Sequence, residues 1–275
     1  MEIKELIQMS LAEDIGSGDV TTEAIVDVKQ QGIAEIRAKQ SLVVAGMDVA
    51  RLTFKEVDPD LQFFPEVKDG ECVPMGTVLA TTKGSVKHLL AAERVVLNFL
   101  QRLSGIATWT TRFVDAVRET KTKILDTRKT TPGWRTLEKY AVRIGGGNNH
   151  RVGLFDRYLV KGNHIQIAGS IKEALQRVLA HKKPGLLVEL EVRNLTELKE
   201  GLSFPVDIIM CDNFSLENLR QAKMLVKGKV LLEASGGVSL ENVAMVAATG
   251  VDFISVGALT HSAPAADIHM TLRLA

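Results

Sequence analysis

"VDIIMCDNFSLENLRQAKMLVKGKVLLEASGG", residues 206–237, decides the fold. It holds two apolar runs, VDIIMCD and KVLLEASGG, separated by a helical segment, SLENLRQAKMLV, that opens on a Ser suited to an N-cap. Each run closes on groups able to do chemistry: Asp212 after the first, Ser235-Gly236-Gly237 after the second. Short β-rich runs alternating with helices are the sequence form of buried parallel strands in an α/β sheet or barrel.

The pattern extends outward in both directions. KILDT, RYLVKG, GLLVELEV and VDFISVG are further runs of the same kind. They close on Thr127-Arg128-Lys129, Lys161, Glu191 and Gly257. From Lys161 through Glu191, Asp212 and Ser235 to Gly257 the steps are 30, 21, 23 and 22 residues, the lengths of βα units. In a β/α barrel the C-terminal strand ends open onto one mouth, and function sits there. Six polar strand ends in succession therefore predict one shared site. No G-x-G-x-x-G follows a first strand, so a dinucleotide fold has no support.

Residues 1–84 have a different texture. GIAEIRAK and SLVVAG read as strands, and MDVARLTFKEV as an amphipathic helix. LQFFPEVKDGECVPMGTVLATTKGS reads as two strands joined by a Gly-rich turn. A long helical stretch from about Ser85 to Thr120 bridges the two textures, with Gly105 as a candidate break.

The chain of 275 residues carries 34 Lys+Arg against 33 Asp+Glu. A net charge near +1 argues against nucleic acid or an anionic membrane as a bulk partner. Cys72 and Cys211 form no metal-spaced pair and read as reduced thiols. The acid-containing N-terminus is not a signal peptide, and no window approaches 18 uninterrupted apolar residues. The expected address is the cytoplasm.

Against that neutral background, Asp126 to His164 contains eight Lys/Arg and three acids. Arg135, Lys139 and Arg143 fall at i, i+4 and i+8 of a helix and read as a solvated face. Arg128, Lys129, Arg151 and Lys161 lie at loops or strand ends and are better placed for a site. Arg offers a planar fork for carboxylate or phosphate and Lys a point charge, so the mixture suits a ligand with several anionic groups. GGGNNHRVG (145–153) puts His150 and Arg151 after a glycine run that permits close backbone approach. His164 reads as structural. ASGGVSLENV (234–243) and VGALTH (256–261) are candidate phosphate-cradling loops, the first opening a helix. Glu191 and Asp212 are either salt-bridge partners of the cations or holders of sugar hydroxyls and water-coordinated Mg²⁺.

AEDIGSGDVTT, AERVVLNFLQRLSGIAT, LDTRKTTPG, EKYAVRIGGGNNHRVGL, LVKGNHI, VELEV, CDNF, EASGGV and SVGALTHSAP occur in that order from about Glu13 to Pro264. Together they resemble the quinolinate phosphoribosyltransferases. The resemblance implies transfer of phosphoribose from phosphoribosyl pyrophosphate (PRPP) to quinolinate with loss of CO₂, in the synthesis of NAD, with Mg²⁺ required. It implies an N-terminal α/β sandwich over residues 1–106, completed by the tail 262–275. An incomplete α/β barrel of about seven strands would span 107–261. It also implies a cytoplasmic homodimer with shared sites, in which Arg102 reaches the neighbouring subunit's site.

By the same resemblance, Arg128 and Arg151 grip the quinolinate carboxylates, with Thr127, His150 and Lys161 beside them. Lys129, Glu191 and Asp212 hold PRPP and its metal, with Glu191 and Asp212 meeting the metal through water and PRPP. Lys129, Lys161, Glu191 and Asp212 are the expected catalytic set. Ser235, Gly236, Gly237 and Gly257 take the 5′-phosphate. Asn148 and Gly162 depart from the family's usual Lys and acid. AEDIGSGDVTT has no chemical role assigned from its residues. Two rivals remain at this level: a phosphosugar aldolase or isomerase with Lys161 as Schiff-base lysine, and a non-enzymatic relative that only binds.

Overall fold

The computed structural model describes residues 2–275. The chain forms two compact units. The first comprises the residues up to Thr111, with Thr131–Gly146 and Ala263–Ala275. The second comprises Arg112–Thr130 and Gly147–Ser262.

In the first unit, GIAEIRA alternates apolar and polar residues, and strand β1 (Gln31–Ala38) buries Ala34, Ile36 and Ala38 on one face. β2 (Leu42–Val43), β3 (Gln62–Pro65), β4 (Cys72–Val73) and β5 (Val78–Ser85) follow. The segment expected to give two strands after Leu61 thus gives three, because β4 is a two-residue partner of β2. β1 pairs antiparallel with β5 on one side and with the C-terminal strand Ile268–Leu274 on the other.

The helix Met47–Val57 packs Met47, Ala50 and Phe54 into this unit's core beside Leu79, Leu89, Leu100 and Ile268. Each large side chain taken wholly out of water contributes about 1.5–3 kcal/mol. The helix Val86–Val117 runs unbroken through Gly105. A Cβ there would lie 2.1 Å from the Pro264 carbonyl oxygen, so this glycine serves a close approach of the tail rather than a helix stop.

The second unit is the predicted incomplete barrel. Its strands are β6 (Lys123–Leu125), β7 (Tyr158–Val160), β8 (Val188–Val192), β9 (Ile208–Asp212), β10 (Leu231–Ser235) and β11 (Phe253–Ser255). They form one parallel sheet in the order β6-β11-β10-β9-β8-β7. Asn148 adds a one-residue parallel bridge to Leu125 on the free side of β6. Among the described residues no ladder joins Asn148 to β7, and the barrel stays open at that seam. Helices Ile171–Ala180, Leu195–Gly201 and Leu216–Val226 each start behind a side-chain cap, from Ser170, Asn194 and Ser215.

Two local readings change. Lys139, expected on a solvated face, is 2% exposed. Its helix, Arg135–Ile144, belongs to the first unit and buries the face that carries Glu138, Lys139 and Val142. Ser235-Gly236-Gly237 does not open directly into a helix: the next one, Val243–Ala247, begins six residues later. The Ser239 N–H is instead accepted by the Asn242 side chain.

Candidate active site

Side chains alternate along a strand, so each barrel strand sends every second residue inward. The inward positions near the C-terminal ends are Leu159 and Lys161, Glu189 and Glu191, Met210 and Asp212, Glu233 and Ser235, and Ser255 and Gly257. Most of them converge on a cavity of about 640 Å³ in the second unit. Thr127, Arg128, Lys129, His150, Arg151, Lys161, Glu191, Asp212, Ser235, Gly236, Gly237 and Gly257 all line it. Of the thirteen residues expected from the sequence, Arg102 alone does not appear in its wall.

Arg102 sits in the first unit, where its donors are engaged. Nε and Nη2 reach Glu138 Oε1 at 3.1 and 2.7 Å, and Nη1 reaches the Ala263 carbonyl at 3.2 Å. Glu138 is fully buried and also accepts from the Thr131 N–H and hydroxyl. Within its own chain Arg102 thus neutralises a buried carboxylate, with a quarter of its side chain left exposed.

The cationic side of the cavity is built on the loop after Asn148. Buried Asp126 accepts the His150 N–H at 2.9 Å and the Asn149 side-chain amide at 2.5 Å. Asp156 accepts the N–H groups of Val152 and Gly153 at 2.7 and 2.9 Å. These two carboxylates hold a segment that has no strand ladder. Arg151 is 8% exposed. Among the described residues, no carboxylate oxygen lies within 4.0 Å of its guanidinium. Its one side-chain bond is a 3.4 Å contact from Nη1 to the Arg157 carbonyl. Burial, and then the like charge of Arg128, pull its pKa below the ordinary arginine value.

Opposite, Lys161 Nζ lies 3.3 Å from Glu191 Oε2 on the adjacent strand. The salt-bridge reading of Glu191 is therefore realised, and both groups still face the cavity. The Lys161 N–H is accepted by His164 Nδ1 at 3.0 Å, which gives His164 the structural part expected of it. The Lys129 main chain is pinned by the Thr127 and Thr260 hydroxyls.

At the phosphate-cradling end, Gly236 has φ +94°. A Cβ there would lie 2.2 Å from Asn213 Oδ1, so no other residue fits. Asn213, itself at φ +55°, binds the Ser235 carbonyl through its N–H and Asp212 Oδ2 through its amide.

Sequence reasoning missed Asn213, Ser255 and His261 as lining residues, and Glu189 and Glu233 beneath them. The i, i+2 pairs Glu189/Glu191 and Glu233/Ser235 were the available signal, because a strand puts both members on one face. Glu189, Glu233 and His150 are buried together, with His150 Nε2 3.0 Å from Glu189 Oε2 and 3.6 Å from Glu233 Oε2. Arg157 Nη1 reaches Glu189 Oε2 at 3.1 Å. Burial acts to raise the Glu189 carboxyl, but His150 and Arg157 outweigh it and hold it below its ordinary value. Burial, then the charge of Glu189, pushes Glu233 well above its own.

The sequence family described as "Quinolinate phosphoribosyl transferase, C-terminal domain" matches residues 106–271, and its N-terminal counterpart matches 19–104. A "Probable nicotinate-nucleotide pyrophosphorylase [carboxylating]" of Synechocystis sp. is 43% identical over 269 residues, covering 97% of this chain and 91% of that protein. The protein of the same description from Bacillus subtilis is 43% identical over 276 residues, covering 100% and 94%. The crystal structure of NadC from Streptococcus pyogenes superimposes with a TM-score of 0.96 at 40% identity, covering 99% of this chain and 97% of that one.

Proposed function

The chain belongs to the quinolinate phosphoribosyltransferase family, and from that membership we propose how its cavity divides the work. The protein is a nicotinate-nucleotide pyrophosphorylase of NAD biosynthesis: it joins quinolinate to the phosphoribosyl group of PRPP and releases pyrophosphate and CO₂. The observation that carries the site assignment is Arg151, a buried cation without an ion-pair partner in its own chain, beside a second arginine. Burying an unpaired charge costs several kcal/mol (order of magnitude), and a dianion entering between Arg128 and Arg151 offsets that cost.

In this reading Arg128 and Arg151 take the two carboxylates of quinolinate, with Thr127 and Lys161 completing the pocket. Lys129, Glu191 and Asp212 hold the ribose and diphosphate of PRPP. The Ser235–Gly237 turn and Gly257 take the 5′-phosphate. The pyridine nitrogen attacks C1 of the ribose as pyrophosphate leaves, and C1 gains oxocarbenium character in between. Lys129 and Lys161 stabilise the charge that develops on the departing group. The ring nitrogen is then cationic, so the electron pair left at C2 when the carboxylate departs lies beside positive charge, and a proton completes the product. No covalent nucleophile is needed: the protein positions two multiply charged anions and offsets their repulsion.

Glu191 and Asp212, on the adjacent strands β8 and β9, present hard oxygen donors to the cavity, and this donor set suits Mg²⁺ held through water and substrate phosphates. When bound, Mg²⁺ supplies neutralisation of diphosphate charge. Chelation with EDTA should abolish turnover and added Mg²⁺ should restore it; undiminished turnover in EDTA would remove the metal from this account.

No described helix is long and apolar enough to cross a membrane. We place the enzyme in the cytoplasm as a homodimer. Exposed Leu154, Phe155 and Ile167, apolar side chains that a second copy would cover, support the pairing.

The deciding experiment is release of pyrophosphate and labelled CO₂ from a mixture of quinolinate, PRPP and Mg²⁺. Nicotinate, which lacks the 2-carboxylate, should support little turnover. Equal turnover with nicotinate would overturn the assignment of both arginines to carboxylates.

A further inference from the structure

Beneath the cavity floor lies a polar cluster that the reaction scheme above leaves idle. Glu189 on β8, Glu233 on β10 and Ser255 on β11 meet His150 and Arg157, which come from the loop at the open seam of the barrel. The Glu189 and Glu233 side chains have no solvent exposure.

The hydrogen bonds determine the protons. His150 Nδ1 accepts the Arg151 main-chain N–H at 2.8 Å, and a main-chain N–H can only donate. Nδ1 therefore carries a lone pair, and Nε2 is left to hold the ring hydrogen: it lies 3.0 Å from Glu189 Oε2, closer than the 3.3 Å to the Arg157 guanidinium, which competes for the same nitrogen as a donor. In that tautomer the imidazole carries no charge. Arg157 and Glu189 then balance in charge. An ionised Glu233 would leave one uncompensated negative charge in a dry site, so Glu233 keeps its proton. Its Oε1 accepts from the Ser255 hydroxyl, and Oε2, with no other hydrogen-bond partner, is the atom that carries the proton. His150, Glu189 and Glu233 also have the donor set of a cation site, but the Arg157 guanidinium, 3.1 Å from Glu189 and 3.3 Å from His150 Nε2, stands where the cation would be.

We propose that Glu189, Glu233 and Arg157 are positioning residues for quinolinate: they fix the tautomer of His150, and through Nδ1 the main chain of Arg151. The need follows from the topology. No strand ladder holds the segment 149–157, so the direction of Arg151 must be set by side chains that reach across from β8 and β10. Asp126 and Asp156 hold the main chain of that segment from one side, and the buried cluster holds it from the other. This inference rests on the reading that Arg151 binds a quinolinate carboxylate.

The test is steady-state kinetics of Glu189→Gln, Glu233→Gln, Glu233→Leu and Arg157→Lys, each checked for folding by its melting curve. Glu189→Gln should raise KM for quinolinate about tenfold, the size of one lost charge-assisted hydrogen bond, and leave KM for PRPP within about twofold. Glu233→Gln should stay close to wild type, because the amide supplies the donor that the protonated acid supplies. Glu233→Leu should reproduce the Glu189→Gln pattern. If Glu189→Gln does not fold, Arg157→Lys, which keeps the charge, carries the same comparison of the two KM values.

Nitrogen NMR of labelled histidine should show His150 neutral with its hydrogen on Nε2 at neutral pH. A Glu233→Gln variant as damaged as Glu233→Leu, equal changes in both KM values, or an imidazolium at His150 would each overturn the proposal. Removing Arg151 itself separates the two levels. If that leaves KM for quinolinate unchanged, the carboxylate reading fails; if it raises KM while the network variants do not, only the positioning role fails.

Discussion

Replacing Arg151 by Met removes the guanidinium and keeps an apolar stem of similar reach. Two consequences of opposite sign follow. A bidentate arginine–carboxylate contact comprises two charge-assisted hydrogen bonds at roughly 1.5–3 kcal/mol each. Their loss, roughly 3–6 kcal/mol, corresponds to a fall of about 10²–10⁴ in kcat/KM for quinolinate.

The same substitution should not weaken the protein without substrate. Arg151 makes one long side-chain hydrogen bond and no ion pair, and it is held beside Arg128. Removing a desolvated, repelled charge should stabilise the empty barrel unit by about 1 kcal/mol, or about 2–4 °C in Tm. The assay is kcat/KM for each substrate together with a thermal melt in the absence of both. Quinolinate kcat/KM within about threefold of wild type would refute the binding role. A Tm lower by several degrees would show that Arg151 is a structural cation and that its unpaired state has been misjudged.

Arg102→Ala should lower Tm substantially, because breaking a buried pair costs about 3–5 kcal/mol and Glu138 is fully buried; a normal melt would show that the pair is not structural. Gly236→Ala forces a side chain into a positive-φ position against Asn213 and should raise KM for PRPP about 5- to 30-fold, the effect of roughly 1–2 kcal/mol of strain; unchanged kinetics would dissociate that turn from the 5′-phosphate. Glu233 has its folded pKa raised above the unfolded value, so its contribution to stability is complete below the ordinary carboxyl range and declines as pH rises toward the folded pKa. Glu233→Gln should therefore flatten the fall of stability from mildly acidic toward alkaline pH, and denaturant titrations with parallel pH slopes for both proteins would contradict this. Burial pushes the Cys211 thiol up to about 12 while Cys72 is exposed, so a thiol reagent should label one cysteine in the native protein and two in urea; labelling of both in the native state would show an open barrel core.

Much of this site was legible in the sequence because a parallel barrel converts chain order into spatial convergence. Lys161, Glu191, Asp212, Ser235 and Gly257 each close an apolar run, and the βα spacing alone places such residues around one mouth. Gly236 was legible for a local reason, since a turn at positive φ selects glycine wherever it occurs. The helix Met47–Val57 and the alternation in β1 were likewise fixed by periodicity within a few residues.

What tertiary structure decided was partnership. Arg102 and Glu138 are 36 residues apart, and nothing local to either marks the one as the other's counter-charge. Lys139 has the spacing of a solvated helix face, yet it is 2% exposed in the folded chain. Glu189 looks like Glu191 in VELEV, yet one pleat deeper it loses water and must share charge with Arg157 and His150. Periodicity and turn chemistry act over a few residues and can be read along the chain. The charge state and hydrogen-bond partner of a buried polar group depend on which distant segments exclude water around it, and that is settled only when the chain has closed.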